Sequence, residues 1–232
     1  MVTVITGASK GIGKALALKF GKSGHQLALC ARGIQELQHV KTELEKAGCL
    51  SPYIQAVDVS KKQEVLDFAE HIFKKYNKVD VLINNAGVFL PGEILNEADG
   101  RLEYQIETNV YSAYHMSRAI APQMKINQAG HIFNMCSIAS QTAYPNGGSY
   151  TISKFALLGM SKVLREELKS FGVKVTSVMP GATWSASWAG VDLPEERLMQ
   201  ANDIAEMVYA ASKLSASAVV EELVIRPQLG DL

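Results

Sequence analysis

Two hydrophobic rhythms alternate along the chain from one end to the other. Short β-branched or wholly apolar runs stand at 2–6, 27–30, 53–57, 79–83, 132–135, 173–178 and 222–225, and read as strands. Between them, apolar positions fall at helical spacing: Ala15, Leu16, Leu18 and Phe20, then Leu37, Val40 and Leu44, then Val65, Phe68, Ala69 and Ile72. Gly24 and Gly48 stop the first two of these helices. Longer helical stretches cover about 101–127, 149–171 and 201–214. Nearly all-apolar strands that alternate with helices are the pattern of a parallel sheet covered on both faces. The chain has no Pro/Ser-rich linker, repeat or low-complexity tract. The expectation is one doubly wound α/β domain over 1–232, with about seven strands and a ligand beyond their C-terminal ends.

Charge and composition narrow the partners. The 23 basic and 23 acidic residues cancel, and no basic block stands out, which argues against nucleic acid. Cys30, Cys49 and Cys136 are widely spaced with no CxxC, and the five histidines are scattered. Neither a disulfide framework nor a metal site is expected. No apolar run approaches the roughly 18 residues that a membrane span needs, and no signal peptide is expected in the first residues. A cytoplasmic protein is the expectation.

The first chemical feature is a glycine turn, Gly7-x-x-x-Gly11-x-Gly13, placed between a strand and a helix. Glycines there let a pyrophosphate approach the backbone, and the helix N-terminus supplies free N–H groups. The second is Tyr150 with Lys154, four residues apart and so on one helix face. An ammonium beside a phenol favours the phenolate, although such pairs are usually ordinary surface neighbours.

Together these residues resemble the short-chain dehydrogenase/reductase family over essentially the whole chain. The motifs are Thr6-Gly7-x-x-x-Gly11-x-Gly13, Asp58, Asn84-Asn85-Ala86-Gly87, Asn109, Ser137, Tyr150-x-x-x-Lys154 and Pro180-Gly181, in the family's order and spacing. The resemblance implies a Rossmann-type domain that binds NAD(H) or NADP(H), forms dimers or tetramers, and interconverts an alcohol and a carbonyl. Epimerases, dehydratases and cofactor-binding sensors without turnover are the alternatives on the same scaffold.

By the same resemblance, Asn109, Ser137, Tyr150 and Lys154 are the catalytic set. Ser137 holds the substrate oxygen, Tyr150 exchanges the proton, and Lys154 lowers the Tyr150 pKa and binds the nicotinamide ribose. Asn109 distorts its helix and feeds a water chain. Ser137 could equally be a cap or loop serine, Asn109 a structural asparagine, and Cys136 reads as a buried thiol. Gly7, Ser9, Lys10, Gly11, Ile12 and Gly13 form the cofactor turn. Asp58 and the Val59 backbone take the adenine, unless Asp58 caps the following helix. Asn84, Ala86 and Gly87 line the cofactor or make a turn. Pro180, Gly181 and Thr183 stand beside the nicotinamide. The second strand ends Cys30-Ala31-Arg32-Gly33 with no acid for a ribose 2′-hydroxyl. Arg32 and Lys10 suit a 2′-phosphate, so NADP(H) is expected over NAD(H), the alternative being two solvated cations. Residues 185–200 are the expected substrate lid. Trp184 and Trp188 either line a pocket or pack the lid on the body. The apolar Phe155-Ala156-Leu157-Leu158-Gly159-Met160 faces a partner subunit or lies within the monomer, and the resemblance favours the partner.

Overall fold

The computed structural model describes residues 1–184 and 194–230. Among them, seven strands form one sheet: β1 (Val2–Thr6), β2 (Gln26–Ala31), β3 (Tyr53–Ala56), β4 (Val81–Asn84), β5 (Gly130–Met135), β6 (Val173–Pro180) and β7 (Glu222–Ile225). The order is β3-β2-β1-β4-β5-β6-β7, and every pairing is parallel. The strand expectations hold to within two residues at each end.

Side-chain alternation along each strand supplies two cores. On one face Ile5, Leu27, Leu29, Ile83, Phe133 and Val178 pack against α1 (Gly11–Lys22), α2 (Ile34–Lys46) and α7 (Ala201–Ser212). On the other, Val4, Ala28, Leu82, Ile132 and Val175 pack against α3 (Lys62–Tyr76) and α5 (Ser112–Asn127). Phe20, Phe68 and Phe133 have no exposed surface; full burial of a side chain this size contributes about 1.5–3 kcal/mol each. β1 is buried along its whole length, so its C-terminal end opens onto the crevice where the strand order reverses, next to β4.

The stretch expected as one helix over 101–127 is three elements. A short α4 (Arg101–Ile106) runs into a π turn, Glu107–Tyr111, and then into α5. A π turn inserts one extra residue into the helix and re-aims side chains, a device common at functional sites. Helix α6 (Gly148–Leu168) closes with a 3-10 turn at Lys169–Phe171. Its apolar positions divide between the two readings: Leu157 and Leu158 are buried in the monomer, while Ile152, Phe155 and Val163 remain exposed. Among the described residues no helix is long and apolar enough to cross a membrane, and no group of three or more His, Cys, Asp or Glu is placed to hold a metal ion.

Candidate active site

The turn after β1 is built for close approach. Gly7 and Gly11 have φ of 65° and 54°, the left-handed region that favours glycine. A Cβ on Gly7 would stand 2.8 Å from Ala86 Cα, and one on Gly13 would collide with the Gly7 carbonyl oxygen. Thr6 Oγ1 accepts from the backbone N–H of Asn85 and Ala86, both at 3.0 Å, which ties the end of β1 to the end of β4. At the start of α1, Lys10 is extended, no side chain caps the helix, and the first turn holds no acid. Unpartnered N–H groups, a positive dipole end and glycines at the approach fit a dinucleotide pyrophosphate.

Tyr150 and Lys154 stand one turn apart on α6. Lys154 is 6% exposed, and its Nζ donates to the Met135 carbonyl at the end of β5, 2.8 Å away. Burial draws its pKa down to about 8. Burial also raises the Tyr150 phenol above its ordinary value, and a hydrogen bond from Ser137 offsets only part of this. The net shift of Tyr150 is upward with burial as its first cause; the lowering expected from Lys154 is a separate contribution. The Lys154 ammonium donates to Met135 and lies 5.7 Å from the Tyr150 ring centre.

Ser137 serves two partners. Its Oγ accepts from the Ala139 N–H at 3.1 Å, capping the 3-10 turn Ile138–Ser140, and also reaches Tyr150. Ser140 Oγ accepts from the Ser137 N–H at 3.2 Å, completing a capping box. Burial raises the neighbouring Cys136 thiol, which leaves it a poor nucleophile. Asn109, in the π turn, donates from Nδ2 to the Val88 carbonyl (3.0 Å) and to Ser153 Oγ (2.9 Å), and its Oδ1 accepts from the Val88 N–H at 2.7 Å. Ser153 Oγ in turn donates to the Tyr150 carbonyl at 2.7 Å.

These residues meet in a cleft of about 530 Å³ that runs from Ile12 and Asn85, past Lys154, Tyr150 and Ser137, to Pro180, Gly181 and Thr183. Gly87 lines it as well. The Asn84 side chain is turned into the core, donating to Ser117 Oγ (3.0 Å) and Asn134 Oδ1 (2.8 Å). Asn85, which sequence reasoning passed over, lines the cleft and donates to the Thr6 and Gly7 carbonyls. Asp58 Oδ1 accepts from the Ser60 N–H and hydroxyl, an Asx turn, while α3 has Lys61 at its cap position with no side-chain cap. Val59 is buried. Lys10 and Arg32 are exposed, with Arg32 Nη1 donating to the Tyr104 hydroxyl at 3.3 Å. Ser9 is half-buried in the turn. Thr183 Oγ1 donates to the Gly181 carbonyl at 3.0 Å. Trp184 is half-buried and its N–H donates to the Met199 carbonyl at 2.8 Å. Trp188 and most of the expected lid lie outside the described residues.

Several cleft residues carry no sequence motif. Phe89 packs edge-on against the Tyr150 ring with centres 4.8 Å apart. Tyr144, also in the cleft, has its phenol pushed up to about 12 by burial. Ile138, Thr142 and Arg226, the residue after β7, complete the lining.

A family model for short chain dehydrogenases matches residues 1–195. The chain belongs to the short-chain dehydrogenase family. Within it, the chain is 32% identical to a sepiapterin reductase from Chlorobaculum tepidum, over 100% of this chain and 98% of the relative. A metagenomic short-chain oxidoreductase solved with NADP is 32% identical, with a TM-score of 0.86 over 98% of this chain and 97% of that one. A 7α-hydroxysteroid dehydrogenase solved with NADH and 7-oxo glycochenodeoxycholic acid is 28% identical, with a TM-score of 0.88 over 99% and 94%. The chain therefore stands among short-chain oxidoreductases whose solved members hold NADP in one case and NADH in another.

Proposed function

We propose that this dehydrogenase-family protein reduces the carbonyl of a small molecule with NADPH, the reverse oxidation being available to the same site. The observation that carries the reading is the meeting of Tyr150, Lys154 and Ser137 in one cleft whose far end is the uncapped N-terminus of α1. When bound, the cofactor supplies hydride to the carbonyl carbon. The glycine turn and the α1 N-terminus take its pyrophosphate, and Thr183 and Gly181 border its nicotinamide end. Ser137 Oγ orients the carbonyl oxygen, and Tyr150 Oη donates the proton that this oxygen takes up as the alcohol forms. A phenol carries its proton at neutral pH, so Tyr150 has one to donate. Lys154 holds the Met135 carbonyl and Asn109 the Val88 backbone, and a water chain from Asn109 by way of Lys154 would resupply the Tyr150 proton.

Arg32 and Lys10 support NADP(H): both are exposed cations beside the cofactor turn, and a 2′-phosphate would meet the Arg32 fork. The substrate end is walled by Phe89, Tyr144 and Ile138, which suits a carbonyl carried on a planar or apolar group. The name of the Chlorobaculum tepidum relative puts sepiapterin into the first substrate panel, beside simple ketones, aldehydes and 3-oxo esters.

The test is Tyr150→Phe, followed by NADPH absorbance with that panel. Turnover is expected to fall at least about 100-fold, the scale of general acid catalysis, with NADPH affinity retained. Near wild-type turnover in this variant refutes the assignment, and NADPH binding without turnover in the wild type favours the sensor alternative.

A further inference from the structure

Helix α6 carries Tyr150 in its first turn, yet nothing within the helix caps it. The residue at the cap is Gly147, no side chain of the helix caps it, and the first turn holds no acid. Such a terminus leaves backbone N–H groups without partners. The cap comes instead from 52 residues away: Glu97 Oε1 accepts from the Ser149 N–H at 3.0 Å, and Glu97 Oε2 accepts from the Ser149 hydroxyl. These bonds hold the Glu97 carboxyl below the usual carboxylate range, so the cap is an anion at the positive end of the helix dipole.

The backbone is shaped around this contact. Gly148 has φ of 37°, and a Cβ there would collide with Glu97 Oε1 and the Gly92 carbonyl oxygen. A second tie runs from the Gly92 N–H to the Asn146 carbonyl, 2.9 Å. The other end of the 88–97 loop is sewn to the helix that carries Asn109. Val88 pairs through both N–H and C=O with the Asn109 side chain, and Leu90 does the same with Gln105. Between these two anchors the loop presents Phe89 to the ring of Tyr150.

We infer that Glu97 is a positioning residue for the reaction: its carboxylate clasps the N-terminus of α6 to the 88–97 loop, fixing the Tyr150 phenol between Phe89 and Ser137. The inference rests on Tyr150 being the proton donor. Among the described residues Glu97 hydrogen-bonds Ser149 and no residue of the glycine turn, so its removal loosens Tyr150 without opening the cofactor cradle.

The experiment compares wild type, Glu97→Ala, Glu97→Gln and Tyr150→Phe, measuring kcat and KM for the best ketone of the panel and NADPH affinity by fluorescence titration at pH 7. Glu97→Ala should lower kcat about tenfold or more, since misplacement of a reacting group by about 1 Å costs up to 100-fold, with NADPH affinity close to that of wild type. Glu97→Gln keeps an acceptor for the Ser149 N–H and should recover most of kcat. Glu97→Ala with wild-type kcat overturns the inference, as does joint loss of NADPH binding and turnover, or a Glu97→Gln variant as impaired as the alanine. Should Glu97→Ala fail to fold, Glu97→Gln beside Ser149→Ala, which removes the hydroxyl that donates to Glu97 Oε2 and leaves the backbone intact, asks the same question. An active Tyr150→Phe variant sinks the reading of the site itself; an inactive one beside a fully active Glu97→Ala sinks only the role of Glu97.

Discussion

Replacing Asn109 by Ala tests how the π turn is coupled to the cleft. Asn109 is 1% exposed and makes three hydrogen bonds: two to the backbone of Val88 and one to Ser153 Oγ. At about 1 kcal/mol net for each bond, the variant loses about 3 kcal/mol. In a chain of this size each kcal/mol moves the melting midpoint by about 2–4 °C, so Asn109→Ala should melt about 6–12 °C lower. The assay is thermal and urea melting of the cofactor-free protein at pH 7, with amide exchange at Val88 as the local readout. Exchange at Val88 should accelerate more than exchange in β1, because the lost bonds end on Val88. A midpoint within about 2 °C of wild type, on the same scaling, or unchanged exchange at Val88, would refute the view that this side chain clamps the loop.

Other outcomes follow from the same geometry. Arg32→Ala should weaken NADPH by about tenfold to a hundredfold, the loss of charge-assisted bonds worth about 1.5–3 kcal/mol, while NADH affinity stays nearly constant; unchanged NADPH affinity in a fluorescence titration rules out the phosphate contact. His131 is buried between β5 and β6 against Thr176, and burial draws its pKa down to about 3 from 6.5. Its folded pKa is lowered, so the unfolded chain takes up a proton that the folded one refuses, and stability is full above pH 6.5 and lost as pH falls from 6.5 toward 3. Between pH 7.5 and 5 that loss is about 2 kcal/mol, and His131→Asn should remove this part of the slope in urea melts, whereas parallel slopes for the two proteins would contradict it.

Local pattern alone was enough to place the strands, because period-2 and period-3.6 apolar spacing is a property of neighbouring residues. It also placed the glycine turn and the Tyr150–Lys154 face, since both depend on contacts within a few residues. What lies across the cleft did not show. Asn84 and Asn85 are adjacent and chemically identical, and which one faces the ligand depends on the register of β4 against β1; the fold turns Asn84 to Ser117 and Asn134 and leaves Asn85 in the cleft. Phe89, Tyr144 and Arg226 reach the site from three separate loops with no shared motif. Glu97 meets Ser149 only because the 88–97 loop folds over the start of α6.

The same division governs the pair at the centre of the chemistry. Sequence determined that Tyr150 and Lys154 share a helix face, and the expectation drawn from that was a phenol acidified by its neighbour. Tertiary structure added what the helix could not show: burial that raises Tyr150, and a Met135 carbonyl that takes the ammonium. Spacing along a helix is set by backbone geometry, but the balance between desolvation and charge depends on what the rest of the chain packs around the pair.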